Sequence, residues 1–338
     1  MTRHGVADQA HLPVLRDRVC RLLAPALQDD DAVCVDATVG AGGHTEALLL
    51  AHPRLVVLGV DRDPHALDLA RRRLARFRDR FRPVHAVYDA IGDALDDAGF
   101  DGADGVLFDL GVSSMQLDVA ARGFAYSQDA PLDMRMDPGG ELTAETVVNT
   151  YEERELSRIL KMYGEERFAS RIARAIVAER AKAPLTSSRQ LADLVRQAVP
   201  AATRRRGGKP AKRTFQALRI EVNAELDVLR RALPGAIDAL RPGGRVVVLS
   251  YHSLEDRIVK RELAERTTSS TPPGLPTELP GAAPTMRLLN KRAQPPSEAE
   301  IAANPRAASA KLRAAEKLAE SGESTEDQDG HSRGEGER

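Results

Sequence analysis

The stretch "VCVDATVGAGGHTEALL", residues 33–49, constrains the fold more than any other part of the chain. An apolar run ends in Asp36, a glycine cluster follows, and a polar start then opens an Ala/Leu-rich helix. Strand, glycine turn and helix N-terminus in that order form a platform for a nucleotide-like ligand. Gly40, Gly42 and Gly43 let the backbone turn tightly and approach a ligand with no Cβ in the way. The same string also suits a purely structural turn, so its neighbours decide. Runs at 55–61 (LVVLGVD), 83–88 (PVHAVY) and 104–109 (DGVLFD) read as further short strands, with helical runs at 45–51 and 64–77 between them. That alternation predicts βαβ units and a parallel sheet.

The sheet pattern stops near 116 and returns at 241–251, where "RPGGRVVVLSY" is a Gly turn before a buried strand. Amphipathic helices fill the interval. In 213–233, Phe215, Leu218, Val222, Leu226, Leu229 and Leu233 step by three or four, which predicts one helix face. In 165–179 an apolar stripe (Phe168, Ile172, Ile176) lies beside a basic one (Arg167, Arg171, Arg174). The expected organisation is an α/β domain with an inserted all-α domain. Residues 1–115 form the first part of the α/β domain, 116–235 the helical insert for substrate recognition, and 236–318 the second part. A Pro-rich loop follows about residue 265, and 305–318 is expected to add a last edge strand or a short helix. The acidic tail 319–338 has the composition of a disordered segment.

Lys+Arg 49 against Asp+Glu 50 leaves a net charge of −1, so any basic surface must be local. One candidate is "TRRRGGKPAKR" at 203–213, with Arg204, Arg205, Arg206, Lys209, Lys212 and Arg213 and no acid. Alone, such a run is a solvated loop; on an insert beside a ligand crevice it becomes a candidate phosphate contact for RNA. Aromatics at 4% with no Trp argue against broad base-stacking platforms. Cys20 and Cys34 have no metal-ligand spacing and no disulfide framework, and Cys34 reads as a buried inert thiol. The N-terminus has no apolar h-region and no run reaches membrane-spanning length, so a cytoplasmic protein with no membrane partner is expected.

In open parallel sheets, ligands bind at the carboxyl ends of the strands. Asp61 ends the second strand, 18 residues past Gly43, where a carboxylate accepts from ribose hydroxyls. The turn reads G-A-G-G-H-T and lacks the third glycine of a pyrophosphate fingerprint. Asp36 before the turn sits badly beside a pyrophosphate but suits a cationic amino group. S-adenosylmethionine (SAM) carries that group and no phosphate, and "LRPGGRVVV" resembles the Pro-Gly-Gly turn of SAM-dependent methyltransferases. The predicted cofactor is SAM, on a Rossmann-like class I methyltransferase sheet.

The fourth strand ends in "FDLGVSSMQLD", whose loop lies beside the donor. Methylation at pyrimidine carbon 5 needs a thiolate, and neither cysteine is on a loop near the site. An exocyclic amine instead needs an acceptor for its N–H groups, to localise the lone pair and receive developing positive charge. Asp109 is the natural acceptor; its plainer reading is a loop cap for backbone N–H groups. The Asp-Pro-Pro-aromatic motif of DNA amino-methyltransferases is absent.

The motifs "HLPVL", "DATVGAGGHT", "DRDP", "DLGVSSMQLD", "RGFAY", "DAPLDMRMD", "YGEERFASRIARAIV", "RTFQALRIEVNAEL", "SYHSLEDRIVKR" and "NPRAASAKLR" occur in this order across residues 11–313. Together they resemble the methyltransferase H family of bacterial small-subunit rRNA N4-cytosine methyltransferases. The resemblance implies methylation of N4 of a cytidine in 16S rRNA, in the decoding region at the ribosomal P site. It implies SAM contacts at Gly42, Gly43, His44, Asp61, Asp109 and Gln116. A further contact falls on Tyr88 where the family usually has Phe, and Ala125 stands where it commonly has Ser. It also implies a homodimer. If Asp109 touches SAM, two readings stand: acceptor of the target amine, or contact to the methionine amino group, with the cytosine left to backbone carbonyls or to "SYHS".

His44 opens a helix, where it caps, packs or meets the ligand. Ser250, Tyr251 and His252 in "SYHSLED" sit at a strand's C-terminal end, where the ligand crevice lies, and His252 is a candidate catalytic residue in the site wall. Ser253 and Asp256 fit an S-x-x-D capping box for the next helix. His11 is a weaker candidate, and Asp133, Arg135 and Asp137 fit one ion-pair network. The rival functions are a DNA or small-molecule amino-methyltransferase, an assembly factor that binds RNA without chemistry, and a nicotinamide dehydrogenase.

Overall fold

The computed structural model describes residues 13–124, 129–201, 210–272, 277, 279 and 281–319. Seven strands form one sheet: β1 (Val33–Asp36), β2 (Val56–Asp61), β3 (Phe81–His85), β4 (Ala103–Asp109), β5 (Leu240–Ser250), β6 (Met286–Leu288) and β7 (Lys311–Lys317). Their order is β3-β2-β1-β4-β5-β7-β6. The first five run parallel, and β7 is antiparallel to both β5 and β6. Strand order reverses between β1 and β4, so a crevice opens over their carboxyl ends. This is the expected Rossmann-like α/β sheet.

The valine-rich strands fit a sheet covered on both faces. Alternate residues go to opposite sides. Val33, Val35, Leu58 and Val60 pack with Ile91, Leu229, Leu233 and Val259. Cys34 and Val57 pack with Leu23, Leu48, Leu67 and Leu74. A third core belongs to the insert, where helices Ala144–Thr150, Glu153–Met162, Ala169–Arg180, Ser188–Ala198 and Pro210–Asn223 bury Val147, Leu156, Ile159, Ile172, Leu191 and Phe215 together.

Three expectations change. The run 213–233 is two helices, Pro210–Asn223 and Glu225–Asp238, broken at Ala224 in the left-handed region (φ 50°). Phe215 and Leu218 face the insert core, whereas Leu229, Leu233 and Ile237 face the sheet. A break that preserves the apolar phase leaves no mark on periodicity. The third strand covers 81–85 rather than 83–88, and Tyr88 starts a short 3-10 turn after it. Finally, 311–317 is an inner strand, with 286–288 as the edge. Most of the expected acidic tail, 320–338, lies outside the described residues.

The insert is fastened to the sheet by buried polar bonds. Asp63, fully buried, caps helix Pro64–Leu74 by accepting from His65 N at 3.0 Å. Its other oxygen accepts from Gln116 Nε2 at 3.0 Å and lies 3.0 Å from Arg122 Nη2. Arg122 also donates to the carbonyls of Arg135 and Met136. Asn223 completes the joint: its side chain accepts from Met136 N (2.7 Å) and donates to Met134 O (2.8 Å), and its carbonyl accepts from Arg62 Nη1 (2.8 Å). Removing one member of a buried charged pair strands the other. Asp63→Ala is therefore expected to lower unfolding stability by about 3–5 kcal/mol. Asp68→Ala, which breaks the exposed pair with Arg71, should cost no more than about 0.5 kcal/mol. Urea unfolding of the two variants checks the contrast.

Candidate active site

The carboxyl ends of β1, β2, β4 and β5, together with the insert, enclose a cavity of ≈ 580 Å³. Sites for cofactor-sized ligands span about 300–1,000 Å³. The sheet side supplies Gly40, Gly43, His44, Asp61, Asp109 and Tyr251; the insert supplies Phe124, Met134, Met136, Lys212, Phe215 and Gln216. Pro13, Val14 and the segment containing Asn304, Arg306 and Ser309 complete the wall.

The glycine turn is built as its residues require. Gly42 precedes helix Gly43–Ala51 with φ 79°, a left-handed conformation that glycine adopts without penalty. Asp36 is buried beneath the turn, accepting from Thr45 Oγ1 (2.7 Å) and Thr38 N (3.3 Å), and its carboxyl is raised by burial. It is not in the cavity wall. Asp36 is thereby kept from a ligand's amino group, whereas the carboxylates of Asp61 and Asp109 both reach the cavity.

Asp61 is fixed by two backbone donors, Gly40 N to Oδ2 and Asp63 N to Oδ1, both at 2.9 Å. Each oxygen keeps a lone pair for a ligand hydroxyl. Burial pushes its carboxyl up to about 6. Tyr88 lines the cavity with its ring edge-on to Phe108, centroids 5.6 Å apart. Its hydroxyl, the group that a Phe would lack, donates to Glu225 O at 3.5 Å. Gln116 is buried; its Oε1 accepts from Ser113 N, closing a capping box, while Nε2 donates to Asp63. One amide hydrogen remains for a ligand.

Asp109 and His44 meet at the cavity. Tyr251 donates its hydroxyl to Asp109 Oδ1 at 2.6 Å. Asp109 Oδ2 lies 3.5 Å from His44 Nε2. His44 is buried, and neither ring nitrogen has a hydrogen-bond partner among the described residues. Nε of Arg62, another cavity residue, is likewise unpartnered.

His252 also lines the cavity, but it has a structural task. The capping box expected at Ser253 and Asp256 sits one residue earlier: His252 Nδ1 accepts from Glu255 N (3.4 Å), and Glu255 Oε2 accepts from His252 N (3.2 Å) and Tyr251 N (2.7 Å). Burial alone would raise the Glu255 carboxyl, but bonding to His252 and the nearby Arg219 charge outweigh it and hold it below the ordinary range. Asp256 is drawn away to Lys311 and Arg313 on β7. Within the basic run, Lys212 reaches the cavity and Arg213 lies 3.8 Å from Glu166. Arg204, Arg205, Arg206, Lys209, His11 and Ala125 lie outside the described residues. Arg135 pairs with Asp133, whereas Asp137 accepts from Gly139 N. Arg174 approaches Glu153 at 3.7 Å, and Arg167 stacks over Phe168.

Asp63 and Arg122 are absent from the sequence-based site residues, and Tyr251 is expected only at the crevice, with no partner assigned to it. Asp63 before Pro64 carries a helix-start signal, Asp-Pro at the N-cap. Nothing local in the sequence pairs Tyr251 with Asp109, 142 positions away.

Comparison with known proteins supplies the family. Residues 8–318 match the MraW methylase family. "Ribosomal RNA small subunit methyltransferase H" of Thermobifida fusca is 63% identical over 316 residues, covering 94% of this chain and 96% of that protein. The protein of the same name from Saccharopolyspora erythraea is 62% identical over 316 residues, with the same coverage. An rRNA methylase structure from Streptococcus thermophilus aligns with a TM-score of 0.41 at 11% identity, over 90% of this chain and 95% of that one. The glycine turn, the Asp61 carboxylate and the Asp109 carboxylate all border this one cavity of cofactor size. This chain belongs to the MraW methylase family, and is a SAM-dependent methyltransferase.

Proposed function

We propose that this enzyme methylates the exocyclic N4 of a cytidine in 16S rRNA of the small ribosomal subunit, in the decoding region at the P site. The observation that carries the reading is Asp109: a carboxylate at the cavity with one oxygen bound by Tyr251 and the other free of any formed hydrogen bond among the described residues. An amine whose lone pair is delocalised into its ring needs such an acceptor. The relatives' name supports small-subunit rRNA as substrate.

SAM supplies an electrophilic methyl group on a sulfonium. The chain's residues bind, orient and deprotonate. The turn brings the backbone of Gly40 and Gly43 to the donor, while Gly42 packs against Leu74 of the next helix; Asp61 accepts the ribose hydroxyls, and Tyr88 packs beside the adenine. The apolar wall of Phe124, Met134, Met136 and Phe215 accepts a base lifted out of its stack. The insert recognises the RNA, with Lys212 at the cavity and the rest of the 203–213 run on the phosphates. His252 shapes the wall through its cap with Glu255.

Incubation with methyl-labelled SAM and small subunits from cells lacking the enzyme, followed by nucleoside analysis, tests the reading. Label in N4-methylcytidine is expected; SAM binding without label would favour an assembly factor that has the fold without the chemistry.

Two further outcomes are expected. A ribose clamp must be ionised to accept two hydroxyls, and Asp61 is ionised above about pH 6. SAM affinity should therefore fall as pH drops through that value, and Asp61→Ala should weaken binding by about 10–100-fold with a flat pH response. Isothermal titration at roughly pH 5 and roughly pH 8, below and above the Asp61 value of about 6, reads both. The double variant Arg204→Ala, Arg205→Ala should leave SAM binding unchanged and weaken RNA capture, lowering the salt slope by about one for each phosphate no longer neutralised. Filter binding across a salt series would refute the basic-loop role if the slope stayed the same.

A further inference from the structure

The cavity holds a three-residue chain that binding of the donor alone does not require. Tyr251 follows the end of β5, its backbone N–H held by Glu255 Oε2 at 2.7 Å. Its ring packs against Gly111, where an added Cβ would lie 3.5 Å from Cδ2. Its hydroxyl donates to Asp109 Oδ1 at 2.6 Å, the short length of a hydrogen bond to a charged oxygen. Asp109 Oδ2 is 3.5 Å from His44 Nε2. A buried imidazole with two unpartnered nitrogens is costly unless something arrives to use them.

We infer that Tyr251 is a positioning residue for methyl transfer: its hydroxyl fixes Asp109 Oδ1, so that Oδ2 takes the proton released by the target amine and passes it to Nε2 of His44. The inference rests on the amine-methylation reading above. As the N4 lone pair forms the new N–C bond, the C–S bond breaks and its electron pair goes to sulfur, leaving a neutral thioether. N4 then carries a positive charge and one hydrogen too many. That proton moves along the N–H···Oδ2 bond to Asp109 and on to His44, and it leaves to solvent when the products depart. Burial, reinforced by the Asp109 charge, raises the Tyr251 phenol well above its ordinary range. The hydroxyl therefore stays protonated and acts only as a donor. It cannot compete with Asp109 for the amine proton.

A merely structural tyrosine would alter folding or SAM affinity instead of turnover. Tyr251→Phe removes one oxygen and keeps the ring. With small subunits as substrate, kcat is expected to fall about 10–100-fold, with the KM for subunits and the Kd for SAM held to within about twofold. A kcat equal to that of the unaltered enzyme would overturn the inference, as would a loss confined to SAM affinity. Should Tyr251→Phe fail to fold, Asp109→Asn decides: it keeps an oxygen for the tyrosine and lacks the proton acceptor. It should bind SAM and lose about 100-fold or more in kcat; full turnover would refute the relay. The unaltered enzyme separates this from the function itself. No N4-methylcytidine from that enzyme would remove the reaction, whereas product from it and equal turnover by Tyr251→Phe would remove only the relay.

Discussion

The site depends on one buried carboxylate that lies outside the cavity wall. Asp63 follows the β2 acid by two residues and binds a helix N-terminus, Gln116 of the short helix Ser114–Asp118 after β4, and Arg122 at the start of the insert. Arg122 carries the link to the 135–136 backbone, and Asn223 fastens the same backbone to the end of helix Pro210–Asn223. Met134, Met136 and Phe124 thereby stand against the sheet's carboxyl ends and make a crevice into a cavity. An unpaired charge there would cost several kcal/mol, so these segments order together or not at all.

Three aspartates near the glycine turn show how environment divides one chemistry into separate roles. Asp36 is buried beneath the turn and spent on Thr45 and Thr38, where it shapes the backbone. Asp61 is held by two backbone donors that leave a lone pair on each oxygen, which suits hydroxyl recognition. Asp109 has a tyrosine on one oxygen and an unpartnered imidazole near the other, which suits accepting a proton. The residue type is the same; burial and donors differ.

Much of this was legible in the residues. Short Val-rich runs with glycine turns specify the parallel sheet, because strands buried on both faces need that composition. Asp61 and Asp109, singled out by their places at strand ends, both line the cavity. Other features need contacts that the sequence does not print. The kink at Ala224 keeps the apolar phase of its flanking helices, so 213–233 looks continuous. The inner position of β7 depends on β6, a strand of three residues (286–288) with little pattern. The cap at His252 replaces the expected one at Ser253 because buried Glu255 accepts from the N–H groups of Tyr251 and His252 while Asp256 is claimed by β7. The Tyr251–Asp109 bond joins residues at neighbouring strand ends, a relation fixed only by strand order.

The central claim is that Asp109 Oδ2 faces the amine to be methylated. A crystal structure with S-adenosylhomocysteine and cytidine bound together measures this directly. The exocyclic nitrogen is expected within about 3 Å of Oδ2, with Tyr251 still on Oδ1. An amine pointing elsewhere, with Oδ2 bound to the donor's amino group, would contradict it.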